Sequence, residues 1–347
     1  MTFVGKNTLD AETVRKIREL SKTAVKGDGS PNLREISRQL GVSKDAVARH
    51  IKSAEKLEYP TFVTLGDDDE PITEIIARKR KGFERKAKAH ADRDWFEIKV
   101  KETKPYGVLM FGDPHLDDDG CNIPLLERHL AIAASPGVYS VNIGDTTNNW
   151  VGRLERLYAN QETSKNTGKR LVEWFMFDSG ATWLCWILGN HDEWNDGVDF
   201  HMRLAKHKIP CIDWRAQFKL VHPNGTEAKL DASHGRKGSS IWNNLHATLR
   251  AAKLGEMADL YMTGHTHNFG LEDLEIPERR FSTWLVQLRG FKFFDHFALT
   301  KNFAEHQRGS SVLAIIDPRI DARRVVMHCF EDVPEGYAYL KDLRARS

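Results

Sequence analysis

The chain has 347 residues, of which 40% are apolar and 29% are charged. This length exceeds one small domain and fits a catalytic domain with an accessory module. The formal net charge is only +2, which excludes a protein directed to nucleic acid by bulk charge alone. No apolar stretch approaches the ~20 residues of a membrane span. We therefore expect no membrane partner, a cytoplasmic location and free thiols on the four cysteines.

Residues 1–59 are predicted to form a small all-α module. Leucine and isoleucine recur at helical spacing in this segment, and Gly41 separates two of the predicted helices. Ser43 is a good N-cap for the helix that follows the glycine. A helix, a glycine turn and a second helix in this register are typical of a helix-turn-helix. Residues 33–49 accordingly resemble the DNA-binding helix-turn-helix superfamily.

That resemblance implies a recognition helix whose exposed face contacts DNA. The first two candidate residues would contact backbone phosphates and the third a phosphate or a base edge: Ser43, Lys44 and Arg49. A trihelical module for protein docking or dimerisation is the alternative, because the acidic residues Glu35 and Asp45 dilute the positive charge.

Residues 60–104 are predicted to be a charged linker. An acidic, turn-prone segment at 66–71 is followed by a basic run at 78–81 and by further cations up to Lys88. Such a run is usually the solvated face of a helix. Beside a helix-turn-helix it could also follow a phosphate backbone, and the sequence leaves both interpretations open.

From residue 105 to residue 347 the pattern changes to alternating strands and helices. Five short apolar runs are predicted to be buried strands: 107–111, 138–143, 183–188, 228–233 and 259–263. Residues 311–316 and 324–330 are predicted to form a hairpin that closes a sheet. This pattern is typical of an α/β sandwich, in which functional residues gather on the loops at strand ends.

Each of the five apolar runs is followed by side chains of the kind that bind metals. In chain order the segments are Asp113-Pro114-His115, Gly144-Asp145, Gly189-Asn190-His191-Asp192, His234-Gly235 and Gly264-His265-Thr266-His267. Carboxylate, imidazole and amide groups without a thiolate suit hard or borderline divalent metals. A glycine beside a ligand lets the backbone turn sharply. Because one carboxylate can bridge two ions about 3.5–4 Å apart, the set predicts a two-metal site for phosphoryl chemistry.

In this order the motifs D-x-H, G-D, G-N-H-D, H and G-H-x-H resemble the calcineurin-like metallophosphoesterase superfamily over residues 105–330. The resemblance implies a β-sandwich flanked by helices that hydrolyses phosphoesters with two divalent metal ions. Manganese is the expected metal, with iron, zinc, magnesium and nickel as alternatives. One ion would be held by Asp113, His115 and His267, the other by Asn190, His234 and His265, and Asp145 would bridge the two.

The resemblance also assigns residues to the leaving group. His191 would protonate the leaving oxygen, and the side-chain carbonyl of Asn148, three residues after Asp145, would orient the imidazole. Arg236 and Lys237 follow His234-Gly235 and are candidates for gripping a substrate phosphate, with a solvated loop as the alternative.

The combination of modules resembles putative DNA-repair exonucleases. It favours a DNA nuclease whose partner is nucleic acid, DNA more than RNA. A protein phosphatase is disfavoured, because Leu188 stands where that subfamily has an arginine before G-N-H. The DNA-repair nucleases often carry a histidine shortly after G-D, which this chain lacks. The alternatives are a nucleotide or cyclic-nucleotide phosphodiesterase with a protein-docking module, and a DNA-binding regulator with a vestigial metal site.

Overall fold

A computed structural model describes residues 9–55, 70–91, 94–194, 197–294, 308–319 and 326–347. The chain divides into two compact units, Met1–Lys81 and Gly82–Ser347. No helix among the described residues is long and apolar enough to cross a membrane.

The first unit contains the three predicted helices. They are α1 (Ala11–Thr23), α2 (Leu33–Leu40) and α3 (Lys44–Glu55). Each contributes one fully buried residue to a shared core: Ile17, Ile36 and Val47. Gly41 ends α2 in the left-handed conformation, which glycine adopts without steric cost and which turns the chain towards α3.

The predicted linker is partly folded. Residues 56–69 lie outside the described residues, but α4 (Ile72–Ala91) and β1 (Phe96–Lys99) follow them. Strand β1 lies within the predicted linker and pairs in parallel with another strand of the second unit. Phe96 and Ile98 alternate with Glu97 and Lys99, and this four-residue alternation was too short to stand out in a charged segment.

Two six-stranded sheets build the second unit, in the orders β1-β6-β7-β8-β10-β9 and β12-β11-β2-β3-β4-β5. The remaining strands are β2 (Tyr106–Phe111), β3 (Val138–Asn142), β4 (Trp183–Leu188), β5 (Cys211–Asp213), β6 (Arg215–Val221), β7 (Glu227–Ser233), β8 (Leu260–Thr263), β9 (Gly270–Ile276), β10 (Phe281–Gln287), β11 (Ser311–Asp317) and β12 (Val326–Phe330). The antiparallel pairing of β11 with β12 confirms the predicted hairpin.

Helices lie between the strands of this unit along the chain. They are α5 (Ile123–Ala133), α6 (Lys165–Glu173), α7 (Asn190–Glu193), α8 (Gly197–Lys206), α9 (His246–Leu254) and α10 (Val333–Ala345). Two 3-10 helices, Gly152–Asn160 and Pro277–Arg279, and one π turn, Trp174–Asp178, complete the described helical segments.

Burial of β2 on both faces explains why it reads as an unbroken apolar run. Val108 and Met110 join residues of the other sheet, such as Phe218, in the core between the two sheets. Leu109 and Phe111 point the opposite way, into a core shared with the helices on the outer face of the sheet. Because successive side chains alternate between faces, a strand covered on both sides has no polar face. The predicted α/β sandwich flanked by helices is confirmed.

Candidate metal centre

The predicted ligands come together because their strands end at the same edge. Strands β2, β3 and β4 are parallel neighbours, so the residues that follow them, such as Asp113, Asp145 and Asn190, leave the sheet at one end. Strands β7 and β8 are parallel neighbours in the other sheet and lead to His234 and His265. The carboxyl ends of parallel strands are the usual place for functional residues in such folds.

Two groups of ligand atoms face each other at this edge. Asp113, His115 and His267 form one group, and Asp145, His234 and His265 form the other. Within each group the ligand atoms lie within 4.8 Å of one another. In the first group the His267 Nε2 atom lies 3.3 Å from Asp113 Oδ2. All six members of the two groups are residues that the sequence predicts as ligands.

Asp145 belongs to the second group and also lies close to His115 of the first. Its Oδ2 atom is 3.2 Å from His234 Nε2 and 4.0 Å from His115 Nε2. The Asn190 Oδ1 atom is also 3.2 Å from His234 Nε2, which places the amide oxygen with the second group. One carboxylate within reach of both groups is the arrangement that a bridging ligand requires.

Unsatisfied polar atoms show that these residues fit divalent cations. Among the described residues, neither ring nitrogen of buried His115 has a hydrogen-bond partner, and the same holds for Asp113 Oδ1. A buried polar atom without a partner costs about 1–3 kcal/mol, which a bound cation would offset. The donor set of carboxylates, imidazoles and one amide suits manganese, iron, zinc, magnesium or nickel.

Backbone conformation marks the same residues. Four ligands have left-handed backbones, with φ values of 43° at His115, 50° at Asp145, 72° at His265 and 52° at His267. Such conformations are uncommon outside glycine and cost of the order of 1–3 kcal/mol each where they persist. They turn the side chains inward immediately after the strands end.

Two glycines let the loops approach the ligands closely. A Cβ atom on Gly189 would overlap Asp145 Oδ1, and one on Gly264 would overlap Asp113 Oδ1. These glycines therefore stand where any side chain would displace a ligand.

Burial and charge act in opposite directions on the pair Asp145 and His234. Burial is the largest single effect and disfavours both charged forms, but the neighbouring charges and hydrogen bonds together outweigh it. The pKa of Asp145 is therefore lowered and that of His234 is raised. For Asp192, burial and the nearby Asp145 carboxylate both raise the pKa. The Asp192 carboxyl accepts from the main-chain N–H groups of Thr146, at 2.9 Å, and Gly189, at 3.0 Å. It thereby joins the two loops that carry Asp145 and Asn190.

His191 lies beside the metal groups. Its Nε2 atom is 4.0 Å from Asp145 Oδ2, and its main-chain N–H donates to Asp145 Oδ1 at 3.0 Å. Its ring lies between two tryptophans, 5.4 Å from the Trp150 ring and 4.4 Å from the Trp194 ring. The expected leaving-group histidine is therefore held close to the ligands.

Asn148 contacts His191 differently from the prediction. The main-chain carbonyl of Asn148, not its side chain, lies against His191 Nδ1. The side-chain amide instead donates to Asp118 Oδ2 at 2.7 Å and to Gln161 Oε1 at 3.3 Å. The prediction that the side chain orients the imidazole is corrected, since the carboxamide is directed away from the ring.

Sequence reasoning missed the aspartates that hold this carbonyl. Asp117 Oδ1 accepts the main-chain N–H of Asn148 at 2.6 Å, and Asp118 Oδ2 accepts Lys292 Nζ at 3.0 Å. The run Asp117-Asp118-Asp119 directly after the first ligand motif was the available signal.

Arg236 was expected to grip a substrate phosphate, but its guanidinium is bonded within the protein. Its buried guanidinium donates to Asp231 Oδ1 at 2.7 Å and to Thr263 Oγ1 at 2.8 Å. An arginine already paired with a buried carboxylate is not a candidate for gripping a phosphate, so this expectation is corrected. Lys237 is exposed and remains a candidate.

In the first unit, the candidate DNA contacts Ser43, Lys44 and Arg49 are all exposed. Ser43 Oγ accepts the main-chain N–H of Ala46 at 3.2 Å, which is the predicted N-cap of α3.

No protein-family model and no curated protein matches the chain. Among solved structures, a metallophosphoesterase from Sphaerobacter thermophilus is similar at 14% identity and a TM-score of 0.32, over 68% of this chain and 93% of that one. A protein of unknown function from Aquifex aeolicus is similar at 20% identity and a TM-score of 0.25, over 47% of this chain and 80% of that one. At this distance neither similarity indicates a function.

The two-sheet fold and the paired groups of aspartate and histidine fit the calcineurin-like metallophosphoesterase superfamily. The same groups support metal-dependent phosphoester hydrolysis.

Proposed function

We propose that this protein is a nuclease that hydrolyses phosphodiester bonds in DNA with two divalent metal ions, preferably manganese. The observation that carries the proposal is the position of Asp145. Its carboxylate reaches both ligand groups while His191 Nε2 lies 4.0 Å from the same oxygen. Two cations and a proton donor around one point are what a phosphoryl displacement requires.

The residues divide the work between binding and proton transfer. Asp113, His115 and His267 would hold one cation and Asn190, His234 and His265 the other, with Asp145 between them. When bound, the cations would stabilise charge on the phosphoryl oxygens and lower the pKa of a water.

His191 supplies the proton for the leaving oxygen. In the protonated imidazole, Nδ1–H donates to the Asn148 carbonyl and leaves Nε2–H facing the ligand groups. A carbonyl fixes the ring without adding a negative charge.

The three-helix module is proposed to hold DNA through Ser43, Lys44 and Arg49, all exposed beside the turn at Gly41. A gel-shift with duplex DNA at several salt concentrations tests this part, because phosphate contacts weaken steeply with salt. If the protein does not bind DNA even at low salt, the alternative in which the module docks a protein is favoured. We also propose a cytoplasmic location, with which the four free cysteines agree.

Hydrolysis of three substrates side by side tests the activity. Bis-p-nitrophenyl phosphate, single-stranded DNA and duplex DNA are incubated with Mn²⁺, Mg²⁺, Zn²⁺ or no added metal. We expect metal-dependent cleavage of the small diester and of at least one DNA. Cleavage of cyclic nucleotides or small diesters but of neither DNA would favour the nucleotide phosphodiesterase, and cleavage of nothing would favour a vestigial site.

A further inference from the structure

The loop after His234 displays two large apolar side chains to solvent. Ile241 is 87% exposed and Trp242 is 90% exposed, which makes them the most exposed large apolar residues in the described part of the chain. Single exposed apolar residues are ordinary, but a neighbouring isoleucine and tryptophan at this exposure call for an explanation by function.

The tip that carries this pair has an ordered backbone. Ser240 Oγ accepts the main-chain N–H groups of Trp242, at 3.1 Å, and Asn243, at 3.2 Å. The Asn243 side chain in turn accepts the N–H of buried Leu245 at 2.8 Å. The loop thus presents the apolar pair from a hydrogen-bonded turn anchored in the core.

Basic residues flank the apolar pair. Lys237 precedes it, and Arg250 and Lys253 lie on one exposed face of α9, which begins four residues after Trp242. Residues three or four positions apart share a helix face. All three cations are exposed. Along the chain, the aromatic tip therefore lies between exposed Lys237 and the exposed cations of α9.

The segment that carries these side chains begins close to a predicted metal ligand along the chain. Lys237 is three residues after the ligand His234. On α9, Thr248 Oγ1 donates to Thr263 Oγ1 at 3.2 Å, and Thr263 is two residues before the ligand His265. Because β7 and β8 are parallel, α9 between them begins at the edge of the sheet that carries these ligands.

We propose that this surface binds single-stranded nucleic acid beside the scissile phosphodiester, with a base stacked on Trp242. We call it the strand surface and define it by Lys237, Ile241, Trp242, Arg250 and Lys253. A cationic track with an exposed aromatic ring is how proteins hold single strands without reading sequence. The centres of protein–protein interfaces are depleted in lysine, which disfavours a protein as the occupant. The proposal rests on the proposed phosphodiesterase function.

Binding of fluorescein-labelled oligothymidylate to the full-length protein, measured by anisotropy in EDTA, tests the stacking. Trp242→Leu keeps an apolar side chain but removes the ring, and Trp242→Phe keeps a ring. We expect the leucine variant to bind about 5- to 100-fold more weakly and the phenylalanine variant to bind nearly as well as wild type. Tyr339→Leu, at a 39% exposed aromatic on the C-terminal helix, is the matched control.

The salt dependence tests the cations. Replacing Lys237, Arg250 and Lys253 together by glutamine should lower the log–log slope of binding against salt by about 2, at roughly 0.7 per phosphate contact on single strands. The control replaces three other exposed lysines by glutamine: Lys101, Lys206 and Lys208. An equal change in both triple variants would show that only the net charge matters and would overturn the proposal.

Two further results would also overturn it. Retained binding in Trp242→Leu would exclude stacking. A dimer of the wild-type protein that dissociates in this variant, seen by sedimentation, would assign the tip to contact between copies of the chain. Hydrolysis of bis-p-nitrophenyl phosphate should be unchanged in the Trp242 and Tyr339 variants. If the wild-type protein itself fails to cleave that diester, the proposed function fails, independently of the strand-binding result.

Discussion

The Nδ1 atom of His191 lies against the main-chain carbonyl of Asn148, so the side chain at position 148 does not set the orientation of this imidazole. Two hydrogen bonds fix the position of Asn148. Asp117 accepts the main-chain N–H of Asn148, and Asp118 accepts an N–H of its side-chain amide. The proposed proton donor is therefore oriented by two carboxylates that do not touch it.

Replacement of His191 by asparagine should slow hydrolysis without loss of metal. General acid catalysis is typically worth about 10²–10⁴-fold, and His191 belongs to neither ligand group. The loss should be large for a poor leaving group such as an alkoxide and small for p-nitrophenolate. Metal content by mass spectrometry and rates on both kinds of diester provide the measurement. Equal losses on both would contradict an acid role.

Asp118→Asn should reproduce part of this effect from a distance. The variant retains the size of the side chain but loses the charge that accepts from Asn148 and Lys292. We expect a fall in kcat of roughly 10-fold with little change in KM, selective for poor leaving groups. Asp119→Asn is the control, since Asp119 accepts only the N–H of Glu162 among its described contacts. A similar loss in the control would argue for a general effect of charge.

Gly189→Ala should reduce metal binding and activity together. A Cβ atom at this position overlaps Asp145 Oδ1, so either the loop or the bridging carboxylate has to move. A misplacement of about 1 Å in a catalytic group can cost about 10²-fold in rate. Gly197→Ala is the matched control, because a Cβ atom there has its nearest neighbours at 3.9–4.0 Å. Normal metal content and normal turnover in Gly189→Ala would show that the loop accommodates the added Cβ atom without moving Asp145, which would contradict the prediction.

Acid should destabilise the fold through His129 of α5. Burial, assisted by Arg128, lowers the pKa of His129 from 6.5 to about 4. Between pH 6.5 and about pH 4, His129 is protonated in the unfolded chain but neutral in the folded protein. The free energy of unfolding therefore falls progressively over this range. At about 1.4 kcal/mol per pKa unit the full loss is about 3 kcal/mol.

His129→Gln cannot titrate and should lack this contribution. Urea unfolding of both proteins between pH 7 and pH 4 measures it. The stability difference should shift in favour of the variant as the pH falls. If the two proteins lose stability in parallel as the pH falls, the pKa of His129 is not lowered by folding and the prediction is wrong.

Removal of residues 1–91 should leave the metal centre intact and weaken action on long DNA. Asp113 is the first of the proposed ligands along the chain, and β1 is retained. Turnover of bis-p-nitrophenyl phosphate should be unchanged, while KM on duplex DNA should rise and its salt dependence should flatten by about 0.9 per lost phosphate contact. Unaltered kinetics on DNA at all salt concentrations would assign the module to another partner.

The metal ligands were predicted from sequence because each of their motifs follows an apolar run and has a glycine next to a ligand. Such local signals survive without knowledge of the fold, and the strands and the hairpin follow from the same periodicity. The role of Asn148 was not predictable, since the direction of its side chain depends on Asp118, 30 residues earlier. Arg236 was misassigned because its partner, Asp231, lies in a strand. The sequence did not indicate that this carboxylate is buried and pairs with the arginine.

Strand β1 is the outermost strand of its sheet and covers the edge of β6. Its four residues pair with residues 218–221 of β6, whose main-chain N–H and C=O groups would otherwise be unpaired at the edge of the sheet. An open edge of this kind pairs readily with the same edge of another molecule. A catalytic fragment that starts at residue 105 would therefore be prone to aggregate, although every metal ligand is present in it.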